Sequence, residues 1–223
     1  MATLKNKITP FMPRRIMICC VMANMIPPDV LLDFYRRGVF PMADAGEIRL
    51  FSPDPRGIIP LGDFHIPRGT KKALRDPGWK VRVDSAFADV LLACAEREDT
   101  WIDETIFRSY VALHEAGHAH SVEVWREGLL AGGLYGVRIG AAFFGESMFH
   151  RLPHASKVAL CHLVAMLKDG GFRLLDTQWV TPRLAGFGAV EIPRGVYLRM
   201  LAQAVAAPAS FPDKPPGCCS GAL

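Results

Sequence analysis

The chain has 223 residues, half of them hydrophobic, enough to bury a sizeable core in one large domain or two small ones. Its formal net charge of +4 is too small to mark a general nucleic-acid binder, so any basic surface has to be local. Six cysteines, four of them in the adjacent doublets Cys19-Cys20 and Cys218-Cys219 and none in a C-x-x-C pair, suit neither a disulfide framework nor a zinc site and point to a reducing, cytoplasmic setting.

Arg14-Arg15 followed by the apolar run 16–26 superficially resembles a signal peptide, but the cleavage pattern is poor. The run also falls far short of the ~20 residues that cross a bilayer. Residues 1–26 are therefore expected to be an extension or a disordered arm, and no membrane association is expected. Asp29 can cap a helix through Val30, Leu31, Leu32, Phe34 and Tyr35 that Gly38 ends. The proline- and glycine-rich stretch 40–67 reads as loop with short extended pieces. The segment after it is locally basic, with Arg68, Lys71, Lys72, Arg75, Lys80 and Arg82 against the single acid Asp76. Residues 71–75 suggest a short helix and 79–83 a strand, closing a small N-terminal domain over 27–83.

Asp84 is placed to cap a helix carrying Phe87, Val90, Leu91 and Cys94. Asp103 is placed to cap another, with Ile106, Phe107, Tyr110 and Leu113 at the 3.6-residue period and Gly117 as its stop. Residues 121–125, 129–137 and 141–149 alternate as three strands of an antiparallel meander. Residues 155–169 form a helix apolar on most sides, stopped by Gly170-Gly171, and a strand at 172–177 follows. A helical turn after Pro182, an extended piece at 190–192 and a last helix near 196–206 complete a second domain over 84–206. The tail 207–223 is rich in Pro, Gly and Ser and is expected to be flexible. Meander, buried helix, strand and final helix give an α+β class with an antiparallel or mixed sheet, acetyltransferase-like (GNAT-like) rather than doubly wound.

One motif invites a metal. His114-Glu115-Ala116-Gly117-His118 matches H-E-x-x-H, where two histidines a helical turn apart hold zinc and the glutamate acts as base. Against it, the next strand begins near Ser121, which leaves His118 and His120 in a connection, unable to share a helical face with His114. His114 also falls on the apolar stripe of its helix, four residues after Tyr110. A zinc metallopeptidase, with Glu146 as a distant third ligand, is nevertheless the alternative reading of the residues. Gly145-Glu146-Ser147 lacks the second glycine of a nucleophile elbow. No phosphate loop or acetyl-CoA pyrophosphate loop is recognisable.

Taken together, Ser52-Pro53-Asp54-Pro55-Arg56, Thr100-Trp101-Ile102, the segment from Gly117 to Trp125, Gly132-Gly133-Leu134-Tyr135-Gly136-Val137, Phe144-Gly145-Glu146-Ser147-Met148-Phe149, Ala155-Ser156-Lys157, Asp176-Thr177-Gln178 and Gly188-Ala189-Val190-Glu191-Ile192-Pro193-Arg194 resemble the leucyl/phenylalanyl-tRNA–protein transferase family in order and spacing. The resemblance runs over about residues 28–201. Phe51 stands where that family usually has tryptophan, and Arg183 where histidine is usual. The resemblance implies transfer of leucine or phenylalanine, and also methionine, from aminoacyl-tRNA to proteins with N-terminal Lys or Arg, marking them for N-degron degradation by a cytoplasmic monomer.

It also implies a site. Aminolysis of an activated ester needs no metal, nucleotide or other cofactor, and a model α-amine, with a pKa of about 7.7–8.0, is already partly neutral at pH 7. Positioning then outweighs proton abstraction. By the family's pattern Asp176 and Gln178, two apart on a strand and so on one face, orient the amine and relay its proton, and Glu146 binds an amino group or the tRNA terminus. Phe51, Trp101, Leu134, Phe143, Met148 and Leu163 are expected to line an apolar pocket for the donor side chain, and Arg68, Lys71, Lys72 and Arg75 to meet tRNA phosphates.

Overall fold

The computed structural model describes residues 25–215, so the N-terminal apolar run and the cysteine doublets Cys19-Cys20 and Cys218-Cys219 lie outside the described residues. The meander is present as β5 (Ala119–Arg126), β6 (Leu129–Ile139) and β7 (Ala142–His150). Its first turn is Glu127-Gly128, with φ of 52° and 80°, the pair of left-handed conformations that a two-residue hairpin favours. These strands sit inside a seven-stranded sheet of order β4-β5-β6-β7-β8-β3-β9, with β3 at Arg56–Ile59, β4 at Lys80–Val83, β8 at Leu174–Gln178 and β9 at Val190–Ile192. All neighbours pair antiparallel except β7 and β8, which run parallel. A separate hairpin joins β1 (Phe40–Asp44) to β2 (Glu47–Phe51).

Helices cover both faces, as a sheet buried on two sides requires. On one face lie α1 (Pro28–Arg36), α3 (Phe87–Ala95), α4 (Glu104–Glu115) and α7 (Arg194–Ala206), whose Leu31, Val90, Ile106, Tyr110 and Leu201 share a core with Phe144 and Leu174. The other face is covered by α5 (Ala155–Asp169), with α2 (Arg68–Leu74) placing Ala73 and Leu74 against the same core. That explains why α5 is apolar nearly all round: ten of its residues are buried, between the sheet and α2. The short α6 (Pro182–Ala185) follows β8.

The α+β class with mixed strands is as expected, and several details differ. Asp103 caps α4 through its carboxylate and the Ile106 amide at 2.8 Å. Asp84 caps nothing, because its oxygens accept from the Ser121 amide at 2.7 Å and pair with His120 at 2.7 Å. Asp29 likewise lies inside α1, which starts at Pro28 with no side-chain cap and exploits the tolerance of a helix start for proline. The boundary expected at residue 83 coincides with no break in the sheet, since β3 and β4 belong to the same sheet as the meander. The tail is packed as far as Phe211, which is buried and stacks on Phe143 at 5.5 Å between ring centroids.

Two local irregularities place the site. Tyr135 pairs with Ser147 and Gly136 with Gly145, so Glu146 is the extra residue of a β-bulge. The core confirms the slip. Phe143 and Met148 pack on the α5 face while Phe144 and Phe149 pack on the other, a parity that an unbroken two-residue alternation forbids. Gly136 opposite the bulge has no room for a side chain, since a Cβ there would sit 2.3 Å from the Phe144 carbonyl oxygen. On β8, Gly57 pairs with Gln178 and Ile58 with Asp176, which makes Thr177 the extra residue of a second bulge.

Candidate active site at the splay of two parallel strands

β7 and β8 pair only at Ala142↔Leu174, Phe143↔Leu175 and Phe144↔Asp176, then separate although both continue. Glu146 and Gln178 lie just beyond the last pair, one on each diverging strand. Across the gap the Gln178 amide nitrogen Nε2 donates to Glu146 Oε1 at 3.1 Å. The Tyr110 hydroxyl, from α4, donates to Glu146 Oε2 at 3.2 Å, and the Tyr35 hydroxyl, from α1, makes a very short contact with that of Tyr110. Three elements from distant parts of the chain therefore converge on one carboxylate.

Burial pushes the Glu146 carboxyl up from 4.5 to about 7, and the Asp176 charge adds to the push, while the Tyr35 and Tyr110 hydroxyls and the Arg56 charge pull the other way. The residue as a whole keeps part of its surface open, while its carboxyl is enclosed among the aromatic rings. A carboxyl with a pKa near neutrality exchanges protons at physiological pH. Tyr35 and Tyr110 are driven well above the ordinary tyrosine value, first by burial and then by the Glu146 charge, and so act as neutral donors.

Asp176 is fully buried. Its Oδ1 accepts from Arg56 Nε at 3.0 Å and the Gln178 backbone amide at 2.8 Å, and its Oδ2 from Arg56 Nη2 and the Tyr197 hydroxyl, each at 2.6 Å. Four donors occupy the four acceptor positions of the carboxylate. Arg56, also fully buried, is held between the Phe40 and Tyr197 rings at 4.9 and 4.5 Å and donates its remaining nitrogen, Nη1, to the Gly38 carbonyl at 3.0 Å. The result is a closed network. It fixes Gln178, whose φ of 58° is unusual for a residue with a side chain. Gly57 completes the support, since a Cβ there would lie 2.6 Å from the Trp179 carbonyl carbon.

The residues singled out in the sequence are thus only partly brought together. Glu146 and Gln178 meet. Asp176 lies beside them with its four acceptor positions occupied by protein donors, one of them the Gln178 backbone amide. The six pocket residues divide between the faces of the sheet. Phe51 and Trp101 pack on the Glu146 face, whereas Leu134, Phe143, Met148 and Leu163 pack on the α5 face, and the sheet separates the two groups. Phe40 and Trp179, in edge contact at 5.3 Å, join Phe51 on the first face. Arg68, Lys71, Lys72 and Arg75 are all exposed along α2 and its end. Sequence reasoning assigned no role to Arg56, Tyr197, Tyr110 or Tyr35. Only Arg56 carried a signal, an arginine inside the quoted Ser-Pro-Asp-Pro-Arg segment.

The zinc arrangement is overturned by geometry. α4 ends at Glu115 and Gly117 turns the chain at φ 77°, which takes His118 off the helix. His114 is committed to the Ala119 carbonyl at 2.8 Å and stacks on Phe87 at 4.2 Å, and His120 pairs with Asp84. These are structural contacts, and they commit the His114 and His120 imidazoles to separate partners.

A testable consequence concerns stability. Between about pH 4.5 and 7 the unfolded chain releases the Glu146 proton while the folded chain keeps it, so the unfolded state binds fewer protons and this residue's contribution lowers stability as pH rises through that window. Glu146→Gln removes the dependence. Relative to wild type it is expected to gain about 1–3 kcal/mol on going from pH ~4.5 to pH ~8, read from urea unfolding at the two pH values. An unchanged difference would mean that the carboxyl is not enclosed as described.

The fold and site define an α+β protein with a neutral-pH carboxyl and an oriented amide facing each other in a gap between two strands, an arrangement suited to holding a nucleophile during acyl transfer. Residues 58–202 match the leucyl/phenylalanyl-tRNA protein transferase family. Proteins named leucyl/phenylalanyl-tRNA–protein transferase are 56% identical in Phenylobacterium zucineum, over 81% of this chain and 85% of that protein, and 52% identical in Cereibacter sphaeroides, over 86% and 90%. One from Ruegeria pomeroyi is 51% identical over 83% and 90%. The chain belongs to the leucyl/phenylalanyl-tRNA–protein transferase family. It is also similar to the solved structure of L-PGS from Bacillus licheniformis, at 12% identity and a TM-score of 0.40 over 72% of this chain and 56% of that one.

Proposed function

We propose that this chain transfers leucine or phenylalanine from aminoacyl-tRNA to the α-amino group of a protein, and that Glu146 and Gln178 hold the attacking amine. The observation that carries the assignment of the site is the pairing of these two side chains across the splay. Gln178 spends its Nε2 on Glu146, and its Oε1 has no partner among the described residues, which leaves it to accept from an amine N–H. The amine nitrogen attacks the ester carbonyl carbon, the C–N bond forms, and the bond to the ribose oxygen breaks. The amine loses one proton, which Glu146 takes and passes to the departing ribose oxygen. The Asp176–Arg56 pair acts through Gln178, by fixing its backbone.

Phe51 and Trp101, with Phe40 and Trp179 beside them, supply an apolar surface for the donor side chain on the same face as Glu146. Such a surface separates one methylene from another by only ~1–3 kcal/mol, so leucine, phenylalanine and methionine donors overlap. The exposed cations of α2, Arg68, Lys71, Lys72 and Arg75, meet tRNA phosphates without reading sequence. An acetyltransferase-like ancestry of the fold, N-terminal Lys or Arg on the acceptor, N-degron marking, and a monomer working in the cytoplasm belong to the same reading and are supported by the family alone. The chemistry requires no cofactor.

The test is incubation of the chain with labelled leucyl-tRNA and a peptide beginning with arginine. A product heavier by one leucyl residue at the peptide's α-amine, formed equally with and without a zinc chelator, is expected. Absence of that product would remove the proposal.

A further inference from the structure

The outer rim of the splay carries three cations and two imidazoles that neither α2 nor the catalytic cluster accounts for. Past Glu146, β7 ends at His150, and past Gln178 the chain reaches Arg183 on α6. His154 and Lys157 stand at the start of α5, and Arg97, in the loop after α3, donates to the Met148 carbonyl on β7. His150, His154, Arg97 and Arg183 are exposed and Lys157 is partly so. Among the described residues none of the five has an acidic partner, in contrast to the neighbouring Arg151, which pairs with Glu96. Desolvation lowers the His150 pKa from its ordinary value, and Arg183, Arg97, Lys157 and His154, all near it, each lower it further.

We infer that Arg97, His150, His154, Lys157 and Arg183 form a phosphate-binding rim that grips the single-stranded 3′ end of the donor tRNA where it enters the gap between β7 and β8. The inference rests on the proposed transfer reaction and adds a subsite to it. Unneutralised positive charge crowded at one place is costly unless an anion offsets it, and the anion that must pass this point is the nucleic acid whose terminal ester reacts at Glu146 and Gln178. The scale fits. His150 is four residues beyond Glu146, on the order of 13 Å along a strand, or about the rise of four stacked nucleotides of one strand. The rim therefore meets phosphates within the first few nucleotides of the reactive terminus, while α2 is left for the more distant stem. An acceptor with a cationic N-terminus is repelled by the same charges and has to approach from another side.

The test uses the full chain and two RNA probes, tRNA and a single-stranded RNA tetramer ending in CCA, with binding measured as a function of salt. In the Lys157→Gln/Arg183→Gln variant, tetramer affinity is expected to fall about tenfold. The slope of log affinity against log salt is expected to decrease by about 1.4, from two phosphate contacts at ~0.7 each. The Lys71→Gln/Lys72→Gln variant is expected to weaken tRNA binding with the tetramer unaffected. Tetramer binding of equal strength and equal salt slope in wild type and the Lys157/Arg183 variant would overturn the rim, as would a loss of affinity with no change of slope. Arg183→Glu, at an exposed side chain, repeats the measurement independently of any effect of the double change on folding. A wild-type chain that binds the tetramer but transfers no leucine would count against the reaction and not against the rim.

Discussion

Arg56→Met is expected to destabilise the chain by about 3–5 kcal/mol, the cost of leaving a buried carboxylate without its cation. Asp176 has no access to water. Without the guanidinium it keeps only the Tyr197 hydroxyl and the Gln178 amide, too few donors to replace solvation of a charge. The informative variant is the pair. Arg56→Met/Asp176→Leu replaces two charges with apolar groups, an exchange that is often neutral or favourable, so most of the lost stability should return on chemical unfolding. Activity should not return, because the carboxylate that holds the Gln178 backbone at φ 58° is gone. Transfer at the wild-type rate by a refolded double variant would show that the pair serves stability alone.

Glu146→Gln is expected to lower the turnover number about 100-fold, the lower end of what a positioned acid–base group contributes. Glutamine has nearly the same shape and can still face the Gln178 amide and the Tyr110 hydroxyl, so the loss reports proton transfer and charge rather than packing. The acceptor KM should change little if Gln178 supplies the larger part of the amine's contacts, and by much more if Glu146 does. Turnover within twofold of wild type would remove Glu146 from the chemistry.

Much of the architecture follows from local signals. The limits of α5 were readable because Gly170-Gly171 punctuate it and its apolar residues occupy most sides, and α4 because Asp103 caps it and Gly117 stops it. The meander was readable from alternation and its Glu-Gly turn. β3 was not. Its four residues are flanked by prolines and its partners are Asp176, Gln178 and Glu191, more than a hundred positions away, so nothing in its neighbourhood announces a strand of the main sheet. Phe211 was hidden in the same way, by a tail whose composition suggests disorder although one aromatic ring finds the Phe143 surface.

The site was legible in its members but not in its roles. Glu146 and Gln178 were reached through the family's motifs, and the bulge that aims Glu146 could in principle have been sought in the pairs Phe143/Met148 and Phe144/Phe149, which demand a change of parity between them. The packing of Leu134, Phe143, Met148 and Leu163 on the face opposite Phe51 and Trp101 was not legible, because apolar residues near a motif do not reveal which face of the sheet they occupy. Asp176 was read as a reacting group from the family's pattern, and the local sequence shows only Gln178 beside it. It cannot disclose that Arg56 and Tyr197 arrive from either end of the chain to fill its oxygens.

The central claim, that a carboxyl of neutral pKa at the splay receives the proton of the attacking amine, is tested most directly by the pH dependence of kcat/KM for transfer from leucyl-tRNA to an arginine-terminated peptide. That quantity reports ionisations of the free enzyme and free substrate. Wild type is expected to rise through two steps as pH increases, one at about 7 from Glu146 and one at about 7.7–8.0 from the acceptor α-amine, while Glu146→Gln keeps only the second. A wild-type profile carrying the amine's step alone, and matching the Glu146→Gln profile in shape, would contradict the claim.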